Sequence, residues 1–538
     1  MLATTQQSMK KLLLIIALTA VSSLRADPPK LVVSIVVDQL RYDYLERFDK
    51  HFAKGGFRLF KQQGAFLSRA FYDYCPTYTA PGHATILSGA PPAEHGIIGN
   101  DWFNKRTRRS MYCVEDPSVE GVGTKGSGGQ RSPKNFIGSN LADQMRLHFR
   151  SKVVGISMKD RGAILPAGKQ PNGAYWLDTK TGHFVTSTYY TEALPKWVKS
   201  FNDEDRAGGY VGKTWDRLLP ESAYTWGDRT AGEGVLSGEK EPVFPHVVAK
   251  SRSAITRTPF ANELVIEFAK AALDAEKLGQ GSGPDLLCIS FSANDYAGHS
   301  FGPHSQEVQD ITVRLDRQLE DFFQFLDQRI GLGNVLINLT ADHGVAPNPE
   351  FATAQGMDGD RLNEGQIMIE LMSALSKEFG PEKFFLDPRG KGGQLFFDHA
   401  VLAKRNIPLD AFYRFIREWA FDTGKYQHVY TREQLLDGRA PGHFGQLVLN
   451  GYNAERSADM ILISKPFAIP SKSPTGTTHG SPYAYDTHVP VMFFGPGIKP
   501  GRYADDFKVT DIAPTLAAIL RVEVPPGSIG RPLTKLLR

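Results

Sequence analysis

Continuous apolar runs at 31–37, 153–156, 286–290, 335–339, 460–463 and 491–494 punctuate the chain, without regular alternation of polar and apolar positions. Runs of that kind suit strands buried on both faces. Between several of them lie amphipathic stretches at helical spacing, such as 261–273 and 307–326. The pattern predicts an α/β fold with a mainly parallel sheet flanked by helices. Two regions break the rhythm: about 166–247 is rich in Gly, Trp and Tyr, and about 351–449 holds short mixed segments. Strand-like runs resume after each, so both read as insertions in one sheet domain spanning 27–538.

The amino end has a different pattern. From Met9 the chain reads MKKLLLIIALTAVSSLRA, two lysines, an apolar run and small residues, the order of a secretory signal peptide ending at Ala26. The run is shorter than the ~20 apolar residues of a spanning helix. The expectation is therefore an exported protein, periplasmic or secreted, that starts at Met9 and is not stably inserted in a membrane. Formal charge is +4, and Lys10, Lys11 and Arg25 of the leader carry three of those charges, leaving about +1 on the mature chain. That excess gives no electrostatic case for nucleic acid as the main partner. Three cysteines, Cys75, Cys113 and Cys288, lack the spacing of a zinc knuckle, so any metal must be held by Asp and His. An oxidising compartment permits a Cys75–Cys113 bridge.

Candidate chemistry gathers where strand-like runs end, the place at which open α/β sheets bind ligands. Asp38 follows the first run, Asp295 and His299 follow DLLCISFS, Asp342 and His343 follow NVLINLT, and His479 stands ahead of the last. One Asp at a strand end is ordinarily a cap or turn former. Three Asp and three His together compose two mixed oxygen and nitrogen metal sites with positions left for substrate. Asp295 and His299, four apart, would share one face of a helical turn. Adjacent Asp342 and His343 could serve two metals or grip one. Thr77 and Thr79 are candidate nucleophiles; Thr79 precedes Ala-Pro-Gly-His, read as a sharp turn that lifts the hydroxyl out of the sheet. Lys159 and Arg161, two apart after the run at 153–156, would point to one side of an extended backbone and grip anionic oxygens. Against this stands a solvated surface pair with Asp160 between them.

The segments Asp38-Gln-Leu, Tyr-Thr79-Ala-Pro-Gly-His, His95-Gly-Ile-Ile-Gly-Asn100, Asn-Asp295-Tyr-x-Gly-His299, Ala-Asp342-His343-Gly and Thr-His479-Gly-Ser-Pro, in this order, resemble the alkaline phosphatase superfamily. The closing VTDIAPTLAAIL and GRPL resemble its last helix and turn. The resemblance implies a three-layer α/β/α sandwich and two zinc ions. One would be held by Asp38, Asp342 and His343 beside the nucleophile Thr79, and the other by Asp295, His299 and His479. Asn100 would donate to a phosphoryl oxygen, and His479 is preferred over His488. The Lys-x-Arg of 159–161 resembles the threonine-nucleophile bacterial enzymes that prefer small-molecule phosphate monoesters. The implied reaction is monoester hydrolysis through phosphothreonine. The alternatives are a phosphodiesterase, a nucleotide pyrophosphatase or a phosphonate monoester hydrolase of the same superfamily. No obvious third, magnesium site is present, which puts magnesium dependence in doubt.

Overall fold

Strand β1, Leu31–Val37, is buried along its whole length, as LVVSIVV requires when both faces of a strand are covered. It lies mid-sheet in a computed structural model that describes residues 28–249 and 251–538; the leader expected at 1–26 lies outside them. The other main strands are β2 (Ala65–Phe71), β3 (Val153–Ser157), β4 (Gly173–Asp178), β5 (His183–Ser187), β6 (Asp285–Phe291), β7 (Val335–Thr340) and β8 (His488–Phe494). Their order across the sheet is β2-β8-β7-β1-β6-β3-β4-β5, with short strands at 501–503 and 121–122 outside them. The inner five, β7-β1-β6-β3-β4, are parallel. Strand β8 pairs antiparallel with both β7 and β2, and β5 antiparallel with β4.

Helices cover both faces, and β4 shows how. Side chains along a strand point alternately to opposite faces. Ala174 and Trp176 join a cluster with Ala80 and Ala84 of helix α1 (Thr79–Ser88) and Ala163 and Ile164 of helix α2 (Asp160–Ala167). Tyr175 and Leu177 turn the other way, toward Leu264 and Phe268 of helix α3 (Pro259–Ala275), with the Tyr175 and Phe268 rings 5.7 Å apart. Two further helices, α4 (Ala293–Phe301) and α5 (Gln306–Ile330), follow β6 and lead into β7.

Two boundaries differ from the sequence reading. Residues 173–187, placed in the first insertion, form β4 and β5 of the main sheet, because GAYWLD and HFVTS bury nearly every side chain. The run at 460–463 belongs to a separate four-stranded sheet, where Met460–Ser464 pairs antiparallel with Gln394–Phe397 and Tyr426–Thr431. That sheet has its own core, including Leu371, Leu375, Phe384, Phe412 and Ile416. A short apolar run does not reveal which sheet it joins. All three cysteines are buried and free. No described helix is long and apolar enough to cross a membrane.

Candidate active site

Parallel neighbours end at one edge of a sheet, so β1, β6, β7 and β3 deliver the residues just beyond their ends to a single place. Asp38 comes directly after β1, Asp342 lies two residues past β7, Lys159 two past β3, and Asp295 in the first turn of α4. Strand β8 runs antiparallel, so the segment entering it, with His479, starts at the same edge. Strand β2 runs as β7 does and leads through 72–78 to the N-terminus of α1, whose first residue is Thr79.

All six Asp and His candidates come together, buried apart from the partly exposed His299. Asp295 Oδ1 lies 3.1 Å from His299 Nε2 and 3.8 Å from His479 Nε2. Asp38 Oδ1 and Asp342 Oδ2 each lie 3.5 Å from His343 Nε2. The His343 and His479 rings stack with centroids 3.4 Å apart. Two groups have metal-binding spacing, Asp295 with His299 and His479, and Asp38 with Asp295 and His343. Asp295 thus belongs to both groups and lies closer to His299 Nε2, while Asp342 Oδ2 stands outside them, beside His343.

The imidazoles are fixed from behind. Nδ1 of His299 lies 2.8 Å from the Thr477 carbonyl, Nδ1 of His343 2.8 Å from that of Gly344, and Nδ1 of His479 2.8 Å from that of Thr77. A carbonyl can only accept, so each Nδ1 carries the proton and each Nε2 is the free donor to a metal. Two carboxylate oxygens among them, Asp38 Oδ1 and Asp342 Oδ2, are buried without a hydrogen-bond partner. Buried orphan acceptors beside the His343 imidazole, whose pKa burial lowers, fit a cation.

Protonation is set by burial and charge. Burial, then the neighbouring Asp295 and Asp342 carboxylates, push Asp38 well above the usual carboxylate range. Burial opposes ionisation of Asp295 too, but His299 and Lys159 outweigh it and hold that group well below the range. Burial, then the adjacent His343 and His299, keep His479 neutral. Neutral imidazole is the form that ligates metals.

Thr79 Oγ1 lies 3.4 Å from His343 Nε2. The expected sharp turn at Ala-Pro-Gly-His is instead the first turn of α1, where proline loses no intrahelical hydrogen bond. Asn100 accepts from the Ala80 N–H at 2.8 Å, which leaves its NH2 group as a donor beside Thr79. Lys159 is buried, its ammonium 2.6 Å from both Asp38 Oδ2 and Asp295 Oδ2. Arg161 donates to the Tyr112 hydroxyl at 3.0 Å and its Nε has no partner. The backbone there is not extended beyond Lys159: Arg161 sits in the first turn of α2. The surface-pair alternative fails because Asp160 is taken by Arg131, at 2.6 Å, and by the Tyr112 hydroxyl. His488, the rival of His479, stacks between Tyr42 and Phe71, away from the cluster.

Sequence reasoning missed Gln39 and undervalued His83. Gln39, held at φ +66°, donates from its side chain to Asp295 at 2.7 Å and from its backbone to Asp342 at 3.1 Å. Its place beside Asp38 was the only signal. His83 lies one helical turn into α1, with Nδ1 2.9 Å from the Thr79 carbonyl and 3.3 Å from Asp342 Oδ2.

A family profile described as type I phosphodiesterase / nucleotide pyrophosphatase matches residues 32–482. The chain belongs to this family, within the alkaline phosphatase superfamily. It is 40% identical to alkaline phosphatase PafA of Elizabethkingia meningoseptica over 519 residues, 95% of this chain and 94% of that one. Alkaline phosphatase PhoV of Synechococcus elongatus is 40% identical over 522 residues, 95% of this chain and 93% of the relative. A Myroides odoratus relative named calcium-transporting ATPase is 39% identical over 528 residues, 96% of each. The crystal structure of wild-type PafA superposes with a TM-score of 0.91 at 39% identity, covering 96% of this chain and 100% of that one.

Proposed function

We propose that this protein hydrolyses phosphate monoesters to an alcohol and inorganic phosphate at a two-zinc site, with Thr79 transiently phosphorylated. The observation that carries this reading is the set of three imidazoles whose Nδ1 protons are committed to backbone carbonyls, aiming three Nε2 atoms at buried carboxylates. Asp38, Asp342 and His343 would hold one ion and Asp295, His299 and His479 the other. When bound, the pair would supply Lewis acidity, lowering the pKa of the attacking hydroxyl or water and stabilising charge on the leaving oxygen.

Thr79 Oγ1 forms the new bond to phosphorus as the bond to the ester oxygen breaks, and the alcohol departs with a proton. Water then attacks the phosphothreonine, releasing inorganic phosphate and the threonine hydroxyl. The NH2 of Asn100, the ammonium of Lys159 and the guanidinium of Arg161 bind the non-bridging oxygens. A solved variant of PafA is named for substitutions of a threonine, an asparagine, and a lysine and an arginine two positions apart, the residue types and spacing of Thr79, Asn100, Lys159 and Arg161. The names of PafA and PhoV favour monoesters. The family description favours diesters or nucleotide pyrophosphates as the second reading. The leader motif supports export to the periplasm or medium, which the amino-terminal sequence of the mature protein would test.

Steady-state rates on matched phosphate monoester and diester substrates test the assignment, with the monoester expected to give the larger kcat/KM. Thr79→Ala should abolish most turnover while zinc content stays near two per chain, and a phosphopeptide containing Thr79 should be trapped at acidic pH. Label on Thr77, or on no residue, would overturn the nucleophile.

A further inference from the structure

Asp486 occupies the single helical turn Ala484–Thr487 just ahead of β8, and its side chain is fully buried. Its Oδ2 accepts three hydrogen bonds from one turn of chain: the Gly480 N–H at 3.0 Å, the Ser481 N–H at 2.7 Å and the Ser481 hydroxyl at 2.6 Å. That turn begins at His479. The Ser481 carbonyl in turn accepts the Thr77 hydroxyl at 3.0 Å, and the Thr77 carbonyl accepts the His479 Nδ1–H. Hydrogen bonds therefore run in a chain from Asp486 through Ser481 and Thr77 to His479, and the backbone from His479 to Ser481 closes the loop.

The backbone of the same turn grips a second ligand segment. The Asp486 carbonyl accepts the Gly344 N–H at 2.7 Å and the Tyr485 carbonyl accepts the Val345 N–H at 2.9 Å, directly after His343. One short turn thus ties together the segments bearing the two stacked imidazoles, His343 and His479. Nothing in the metal chemistry calls on Asp486 itself, since its carboxylate bonds only to the Gly480–Ser481 turn and to none of the six candidate ligands' side chains.

We propose that Asp486 is a positioning residue that fixes the Gly480–Ser481 turn, and through it the imidazole of His479, for the metal held with Asp295 and His299. This rests on the two-zinc reading above. Partners that orient metal ligands from outside the coordination shell typically govern affinity by ~10–100-fold. Asp486→Ala removes the acceptor of all three bonds. Asp486→Asn keeps an acceptor for them, and its NH2 group takes the place of Oδ1, which has no partner to repel it.

The test is a competitive zinc titration of the full-length protein against a chromophoric chelator, read as two dissociation constants, alongside near-UV circular dichroism. Asp486→Ala should weaken one of the two sites by roughly 10-fold or more and leave the other near wild type. Its monoesterase activity should fall at limiting zinc and return as zinc is raised. Asp486→Asn should lie between Ala and wild type, and Ser481→Ala, which removes one bond of three, should be milder still. Two unchanged constants in Asp486→Ala would overturn the positioning role while leaving the two-zinc reading intact. Weakening of both sites together with loss of the near-UV signal in Asp486→Ala and Asp486→Asn alike would reassign Asp486 to general stability. Wild-type protein that takes up no zinc would overturn both readings.

Discussion

Lys159 is buried with its ammonium shared between two carboxylates, and Arg161 points from the next turn with one guanidinium nitrogen unpartnered. Two such cations, Lys159 against the candidate ligands Asp38 and Asp295 and Arg161 two residues on, favour the substrate with the greater negative charge on its non-bridging oxygens. A monoester dianion carries one more charge there than a diester. Replacing both residues by Ala should therefore lower monoester kcat/KM by roughly 10²-fold or more, about 3 kcal/mol of transition-state stabilisation. Diester turnover measured with the same double variant should fall much less; equal losses would assign the pair to the fold or the metals instead. These two residues were legible in the sequence as a charged pair after a strand. The burial of Lys159 was not, because its ammonium is held by Asp38 and Asp295, carboxylates that distant segments bring to it. The ligand residues were legible for a different reason: five are Asp or His standing after an apolar run stops, and His479 stands ahead of one.

Helix α1 shows how closely an element must approach to build this site. A Cβ placed on Gly82 would lie 2.3 Å from the Asp342 carbonyl oxygen and 2.7 Å from its Cβ, so the first turn of α1 rests directly on the segment bearing Asp342 and His343. Gly82→Ala should push the helix off that segment, moving Thr79 relative to His343. We expect a monoesterase loss of at least 10-fold, since misplacement of reacting groups by about 1 Å can cost 10²-fold. Gly128→Ala, at a position with no heavy atom within 4 Å, is the control and should retain full rate. A Gly82→Ala enzyme with wild-type kcat/KM would show that the contact has room to relax. The Pro-Gly pair was read as a turn because both residues punctuate structure locally. Here Pro81 sits in the first helical turn, where its missing N–H costs nothing, and Gly82 answers a tertiary contact 260 residues away in sequence. The same limit explains Met460–Ser464: its apolar content marked a strand, while the sheet it joined was decided by Gln394–Phe397 and Tyr426–Thr431.

At the scale of the whole molecule, the sheet converges three buried carboxylates on one edge with a single lysine between two of them, an arrangement that folding alone does not balance. Metal-free protein holds Asp38 protonated more readily than an ordinary carboxylate, because burial and two neighbouring carboxylates disfavour its charge. A cation binding there must displace that proton, so metal affinity should rise with pH and weaken as pH falls through the raised Asp38 value. Ions that bind only the folded chain also stabilise it, by about 4 kcal/mol per site when free metal is 1,000-fold above Kd. Exhaustive chelation should therefore abolish activity and lower the thermal midpoint together, and stoichiometric zinc should restore both. Magnesium should not, since it prefers an octahedral shell of oxygens and three of the six candidate ligands are imidazole nitrogens. The measurement is a thermal melt and a monoesterase assay on the same chelated sample, with metal content determined by elemental analysis. Full activity and an unshifted midpoint in a sample free of transition metals would sink the two-metal reading. Restoration by magnesium alone would replace zinc with a different ion at the same residues.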